Sequence, residues 1–210
     1  LQRQGRELTP AMRVIRKTPR DFVPKPWKNG LGVTREIHIH PERANYEKDD
    51  FLWRLSSADV TSGGSFSFFP GCDRSLFLLS GEGLDLELRG VTVSLAAPFS
   101  SIRFKGEDEV MCSLPGGPCT DFNIFCRRTD VSCEYRKIPV TALQKRLFLL
   151  GDWTVLFCLR GGVTAEWEGE WTKLEGMELL VLEDYPADFS LTCRGAPDGE
   201  ILLITLTARD

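Results

Sequence analysis

The chain has 210 residues, 42% of them hydrophobic and 27% charged, with a formal net charge of −4. A chain of this length buries about 70% of the surface it exposes when unfolded, so it needs neither disulfides nor a structural metal to fold. The balance excludes a nucleic-acid footprint, which requires a basic stripe, and no apolar run reaches the ~20 residues of a membrane-spanning helix.

The opening LQRQGRELTPAMRV lacks the apolar centre of a signal peptide, and Met12 is read as the natural start, with residues 1–11 an extension or appended remnant. PWKNGLGVTREI begins at Pro26. Its Asn29–Gly30 pair favours a tight turn, after which the run from Thr34 alternates as a strand. FLWRLSSADV from Phe51, SLFLLS from Ser75, LDLEL from Leu84, VTVSL from Val91 and DFNIFC from Asp121 are short alternating or apolar runs. TALQKR from Thr141 is the best helix candidate, one or two turns long. TVLFCL from Thr154, VTAEW from Val163, MELLVL from Met177 and EILLITLTA from Glu200 complete the series. Turn residues interrupt these runs about every eight to twelve positions, which marks an all-β sandwich or barrel.

The series repeats. LFLLSGEGLDLEL (Leu76–Leu88) and VLFCLRGGVTAEW (Val155–Trp167) each give an apolar strand, a Gly-rich turn and an alternating strand, about eighty residues apart. A duplicated β unit follows, with its seam at Pro115–Pro118 or within Thr129–Gln144. The expected division is 12–120 for a first barrel that carries the pocket and 121–210 for a second. Seven cysteines, none in a C-x-x-C pair, read as reduced thiols of a cytoplasmic protein.

Strand parity groups the polar residues. Thr34, Glu36, His38 and His40 share one phase; Arg54, Ser56 and Ala58 share another; Asp121, Asn123 and Phe125 a third. An arginine flanked by small residues on a strand face leaves room for a ligand, and its guanidinium matches a carboxylate fork for fork. Arg74 follows the turn FPGCDR, where it either joins that set or pairs with Asp73 to brace the turn. Asp and Asn are poor strand formers, so both inside one strand signal specific hydrogen bonds. Gly32, His38 and His40 have the G-x5-H-x-H spacing that opens a cupin metal motif, but no Glu follows at the expected place and the second half has no His. His38 and His40 are therefore weak metal candidates.

Four stretches, PWKNGLGVTREI, WRLSSADV at Trp53, GSFSFFPGCDRSLFLLSGEG at Gly64 and TDFNIFCRR at Thr120, resemble the HutD/Ves family of bacterial cytosolic proteins in order and spacing. The resemblance runs from about Met12 to the C-terminus and implies a bicupin without the usual metal-ligand set or any cofactor. It implies a pocket in the first barrel drawn from Lys28, Asn29, Thr34, Glu36, Arg54, Ser56, Arg74, Asp121 and Asn123, with Trp53 or Phe69 available for a planar ligand. Its HutD branch is linked to histidine utilization and to metabolite binding or regulation, its Ves branch to stress and cold response. No enzymatic activity is established for the family, and no catalytic residue is assigned. The expected partner is a small anionic metabolite such as urocanate or a formylated or formimino-glutamate, with no nucleic acid or membrane and with a possible homodimer. The alternative is a metal-dependent cupin isomerase or dioxygenase using His38, His40 and Glu36.

Overall fold

The computed structural model describes residues 11–26, 32–48 and 50–209. Its strands are β1 (Arg13–Lys17), β2 (Val23–Pro26), β3 (Gly32–His40), β4 (Trp53–Val60), β5 (Gly64–Ser65), β6 (Cys72–Ser80), β7 (Leu84–Leu88), β8 (Val91–Leu95), β9 (Ser101–Lys105) and β10 (Val110–Ser113). They continue as β11 (Cys119–Arg127), β12 (Val131–Pro139), β13 (Lys145–Phe148), β14 (Trp153–Arg160), β15 (Val163–Trp167), β16 (Glu170–Leu174), β17 (Leu179–Glu183), β18 (Ser190–Gly195) and β19 (Glu200–Ala208). A 3-10 turn spans Pro19–Asp21. No helix among the described residues is long and apolar enough to cross a membrane.

The described residues form two compact units, one within 17–133 and 208–209, the other within 11–16 and 134–207. The division falls after Cys133, inside the Thr129–Gln144 seam and not after residue 120. The reason is β11, which lies centrally in the first unit's six-stranded sheet, β2-β3-β4-β11-β6-β9. The Gly/Pro stretch before it is only the β10–β11 connection. β1 joins the second unit as an edge strand beside β17.

In the first unit the six-stranded sheet shares a core with the four-stranded sheet β5-β10-β7-β8. Leu76 and Leu78 of β6 pack with Leu84 and Leu86 of β7, Leu95, Val110 and Cys112. The second unit repeats the plan with β1-β17-β14-β19-β12 and β13-β18-β15-β16, and its core is almost wholly aliphatic. The two copies of the sequence repeat occupy matching places: β6 leads into β7 as β14 leads into β15. The TALQKR segment forms no helix. Residues 141–144 are irregular, and Lys145 and Arg146 open β13, which pairs with β18. Leu147 is buried while Arg146 and Phe148 point outward, so the segment has period-two patterning and no helical face to bury.

Two details shape the interior. First, the β3–β4 register shifts between Glu36 and His38, so Ile37 is an extra residue. Second, the chain crosses itself tightly at Gly106. Its N–H donates to the Cys72 carbonyl at 2.8 Å, and its carbonyl accepts from Phe69 N–H at 2.8 Å. A Cβ on Gly106 would meet the Phe69 carbonyl oxygen at 2.2 Å, backbone against backbone. Gly106→Ala therefore has to part the Phe69–Cys72 turn from the end of β9. Denaturant unfolding is expected to show a loss of about 1–3 kcal/mol with an unchanged m-value.

Candidate functional site

The inward face of the six-stranded sheet consists of cross-strand rows, read off the register across β3, β4, β11 and β6. One row is Thr34, Ala58, Asp121 and Leu78; the next is Glu36, Ser56, Asn123 and Leu76; the third is Ile39, Arg54, Phe125 and Arg74. β9 extends the last two rows with Ile102 and Phe104. The polar residues therefore form one patch beside the apolar core of the unit.

This patch is dry. Arg54 is 3% exposed and Arg74 7%. A guanidinium taken from water needs charged or hydrogen-bonding partners, and removing one such partner is strongly destabilising. Arg54 Nε donates to Glu36 Oε2 at 2.8 Å. Arg74 Nε donates to Asn123 Oδ1 at 2.8 Å, and Asn123 Nδ2 donates to Asp121 Oδ1 at 2.9 Å. The same Asp121 oxygen accepts from Ala58 N–H at 3.0 Å. Aromatic faces supply the rest. Arg54 lies 4.6 Å from the Tyr46 ring centre and 5.6 Å from that of Phe125. Arg74 lies 4.6 Å from Phe66, 5.2 Å from Phe104 and 5.0 Å from Phe125. Phe125 thus sits against both cations, and desolvated cation–π contacts are worth up to about 2 kcal/mol each. Among the described residues, neither arginine commits its Nη groups to a protein acceptor.

Charge follows from burial. Desolvation lowers the Arg74 guanidinium to about 10, opposed by Asp121, so it stays protonated at neutral pH. Desolvation raises Asp121 to about 6, against the pull of Arg74, Asn123 and the Ala58 N–H.

Of the residues expected from the sequence, Glu36, Arg54, Ser56, Arg74, Asp121 and Asn123 fall on this face, with Thr34 in its outer row. Lys28 and Asn29 lie outside the described residues. Arg74 does not brace the FPGCDR turn with Asp73, which instead accepts from Arg128 Nε at 2.6 Å. His38 and His40 do not share a face with Glu36. Across the bulge they pair with Leu55 and Trp53 on the opposite side of the sheet, and both stack on Trp53, at 4.8 and 5.4 Å. Glu36, His38 and His40 therefore make no metal site together. Trp53 is likewise removed from the pocket face, and Phe69 packs on Phe125 with centroids 4.7 Å apart. Sequence reasoning missed Tyr46, Phe66 and Phe104 as partners of the arginines. Tyr46 comes from the polar PERANYEKDD loop, and no strand period reaches it.

The second unit shows what the face becomes without these residues. Its β14–β19 register sets Cys158 against Ile201, Leu156 against Leu203 and Thr154 against Thr205. In the first unit the matching β6–β11 pairs are Leu78 with Asp121, Leu76 with Asn123 and Arg74 with Phe125. A cleft of about 470 Å³ runs along the free edge of β9 and touches Arg74 and Phe104, with Ser75, Ile124 and Cys126 on its other side.

The family model described as HutD matches residues 19–203. The chain is 34% identical over 202 residues to Protein Ves of Citrobacter koseri, covering 92% of each chain. An uncharacterized 21.2 kDa protein in the hutC 3′ region of Pseudomonas putida is 40% identical over 105 residues, half of this chain; the match spans 54% of that protein's length. HutD from Pseudomonas fluorescens SBW25 superimposes with a TM-score of 0.80 at 28% identity, covering 94% of this chain and 100% of that one. The fold itself extends further, to a cupin 2 conserved barrel domain protein from Leptotrichia buccalis, with a TM-score of 0.57 at 10% identity over 90% and 93% of the chains.

Asp121 gives a pH test of the patch. Its folded pKa of about 6 lies above the usual carboxylate value, so the folded state holds the proton more tightly than the unfolded one. Its contribution to stability is then complete below the unfolded pKa and is lost as pH rises through about 6, a swing of about 3 kcal/mol. Glu107 is held down to about 2 by Arg128 and titrates lower, with the opposite sign. The difference in stability between wild type and Asp121→Asn, measured by denaturant titration from pH 4 to 7, is expected to change over that window in the wild type's disfavour. A difference independent of pH would rule out Asp121 as the titrating group.

Proposed function

Since the chain belongs to the HutD family and has an all-β bicupin fold, we propose that its first unit binds a small carboxylate metabolite and acts as a metabolite-binding regulator. The observation that carries this reading is the pair of buried arginines on either side of Phe125 whose Nη donors meet no protein acceptor among the described residues. Each is held from behind through Nε, Arg54 by Glu36 and Arg74 by Asn123. Forks preset in this way lose little entropy on meeting a carboxylate. Asn123 and Ser56 orient the anion, and the rings of Tyr46, Phe66, Phe104 and Phe125 suit a flat, partly apolar body.

A planar acid of histidine breakdown, urocanate above all, combines those features. The hutC-region relative in P. putida and the HutD name support that setting. The HutD structure from P. fluorescens is described as a formate condition, formate being the smallest carboxylate. Binding is favoured over the metal site read from Glu36, His38 and His40 because the bulge parts Glu36 from both histidines.

Calorimetric titration of chelator-treated protein with urocanate, formate and formylglutamate, each against its amide, tests the reading. Binding of an acid and not of its amide is expected. A ligand at a hundred times its Kd adds about 2.7 kcal/mol, which raises Tm by a few degrees for a chain of this size. Arg54→Ala should weaken binding by about 10- to 150-fold, the worth of one buried charged hydrogen bond. Arg74→Lys, which keeps the charge but loses the fork, should weaken it less. Affinity unchanged in Arg54→Ala, or equal for acid and amide, would overturn the proposal.

A further inference from the structure

The opposite face of the same sheet carries a second chemical feature. Cys126 of β11 and Cys133 of β12 both line the 470 Å³ cleft along β9, together with Arg103 and Lys105. A short turn joins their two strands, so both thiols come to the same end of the cleft. Cys133 is partly exposed, whereas Cys126 is buried behind it. All seven cysteines are in the reduced form, and the other five are buried. Asp73 and Asp108 also line the cleft, but Arg128 holds the first and Arg89 the second. Arg103 and Lys105 make the mouth attractive to an anion.

From this placement we propose that Cys126 and Cys133 are a redox-active dithiol, oxidised to an intramolecular disulfide by a small anionic disulfide of the glutathione type. Cys133, the reachable sulfur, attacks first. Its proton leaves to solvent, its sulfur bonds to one sulfur of the small disulfide, and the S–S bond breaks to release one small thiolate. Cys126 then loses its proton and attacks the Cys133 sulfur, expelling the second small thiolate. Both released thiolates take up protons. Two electrons pass from the protein to the small disulfide, and two protein S–H bonds are exchanged for one protein S–S bond.

The order of attack agrees with the thiols' surroundings. The neighbouring Cys133 thiol, with burial next, raises Cys126, which suits a resolving thiol and not an attacking one. Burial also pushes Cys119 and Cys158 up to about 11 and Cys193 to about 12, so these are poor competitors.

Peptide mapping of the full chain tests the proposal. Reduced protein is exposed to glutathione disulfide, remaining thiols are alkylated at intervals, and the peptides are identified by mass. A Cys126–Cys133 bridge is expected to form about tenfold faster than any adduct on the other five cysteines. Cys126→Ser should stop at a glutathione adduct on Cys133, and Cys133→Ser should prevent bridge and adduct alike, with circular dichroism confirming that each variant is folded. Recovery of both residues alkylated in the wild type, or adducts spread evenly over all seven cysteines, would overturn it; the wild-type map decides this even where a variant fails to fold. The carboxylate titration does not depend on either residue, so the two proposals fail separately.

Discussion

A guanidinium removed from water has to be matched by acceptors and polarisable faces, and the first unit is organised around doing this twice. Arg54 and Arg74 stand in one cross-strand row with Phe125 between them. Everything near them answers their charge: Glu36 on β3, Asn123 and behind it Asp121 on β11, and the rings of Tyr46, Phe66 and Phe104. Replacing such a network with aliphatic side chains often stabilises a protein, so its presence points away from stability as its purpose. The second unit makes the same point from within the chain. It closes the same sheet positions with Ile201, Leu203 and Leu156.

The asymmetry also explains the extra strands. The second unit's larger sheet has a counterpart to β4, β11, β6 and β9 in β12, β19, β14 and β17, but none to β2 and β3. β3 brings Glu36, the acceptor for Arg54. An added strand thus supplies the counter-charge that one of the two buried arginines requires. Both copies carry strands beyond the shared four, β1 beside β17 in the second and β2 and β3 beside β4 in the first, and only the first unit's additions bring a charge to the interior.

Much of this was legible in the sequence, for a physical reason. A strand side chain's face depends only on a period of two, so Arg54 with Ser56 and Asp121 with Asn123 were groupable without knowing any neighbour. Parity could also set Phe125 beside Asn123. What it could not provide was register, which decides that Asp73 meets Arg128 while Arg74 turns inward. Nor could it reach Tyr46 from a loop or Phe66 from beyond β4. The Gly/Pro stretch before β11 looked like a seam because composition marks turns without saying what they join. The histidines were misassigned because the period itself slips at Ile37.

That slip bears on how the gene can change. Point substitutions along β3 alter one face at a time. A deletion of the Ile37 codon would instead restore an unbroken ladder between β3 and β4 and leave His38 and His40 against Leu55 and Trp53, on the side away from Glu36. The face each side chain takes is therefore set by the pairing on either side of the bulge and not by the extra residue. Within such a lineage, counting alternate residues along one short strand would misplace the imidazoles wherever that residue is present and place them correctly wherever it is absent.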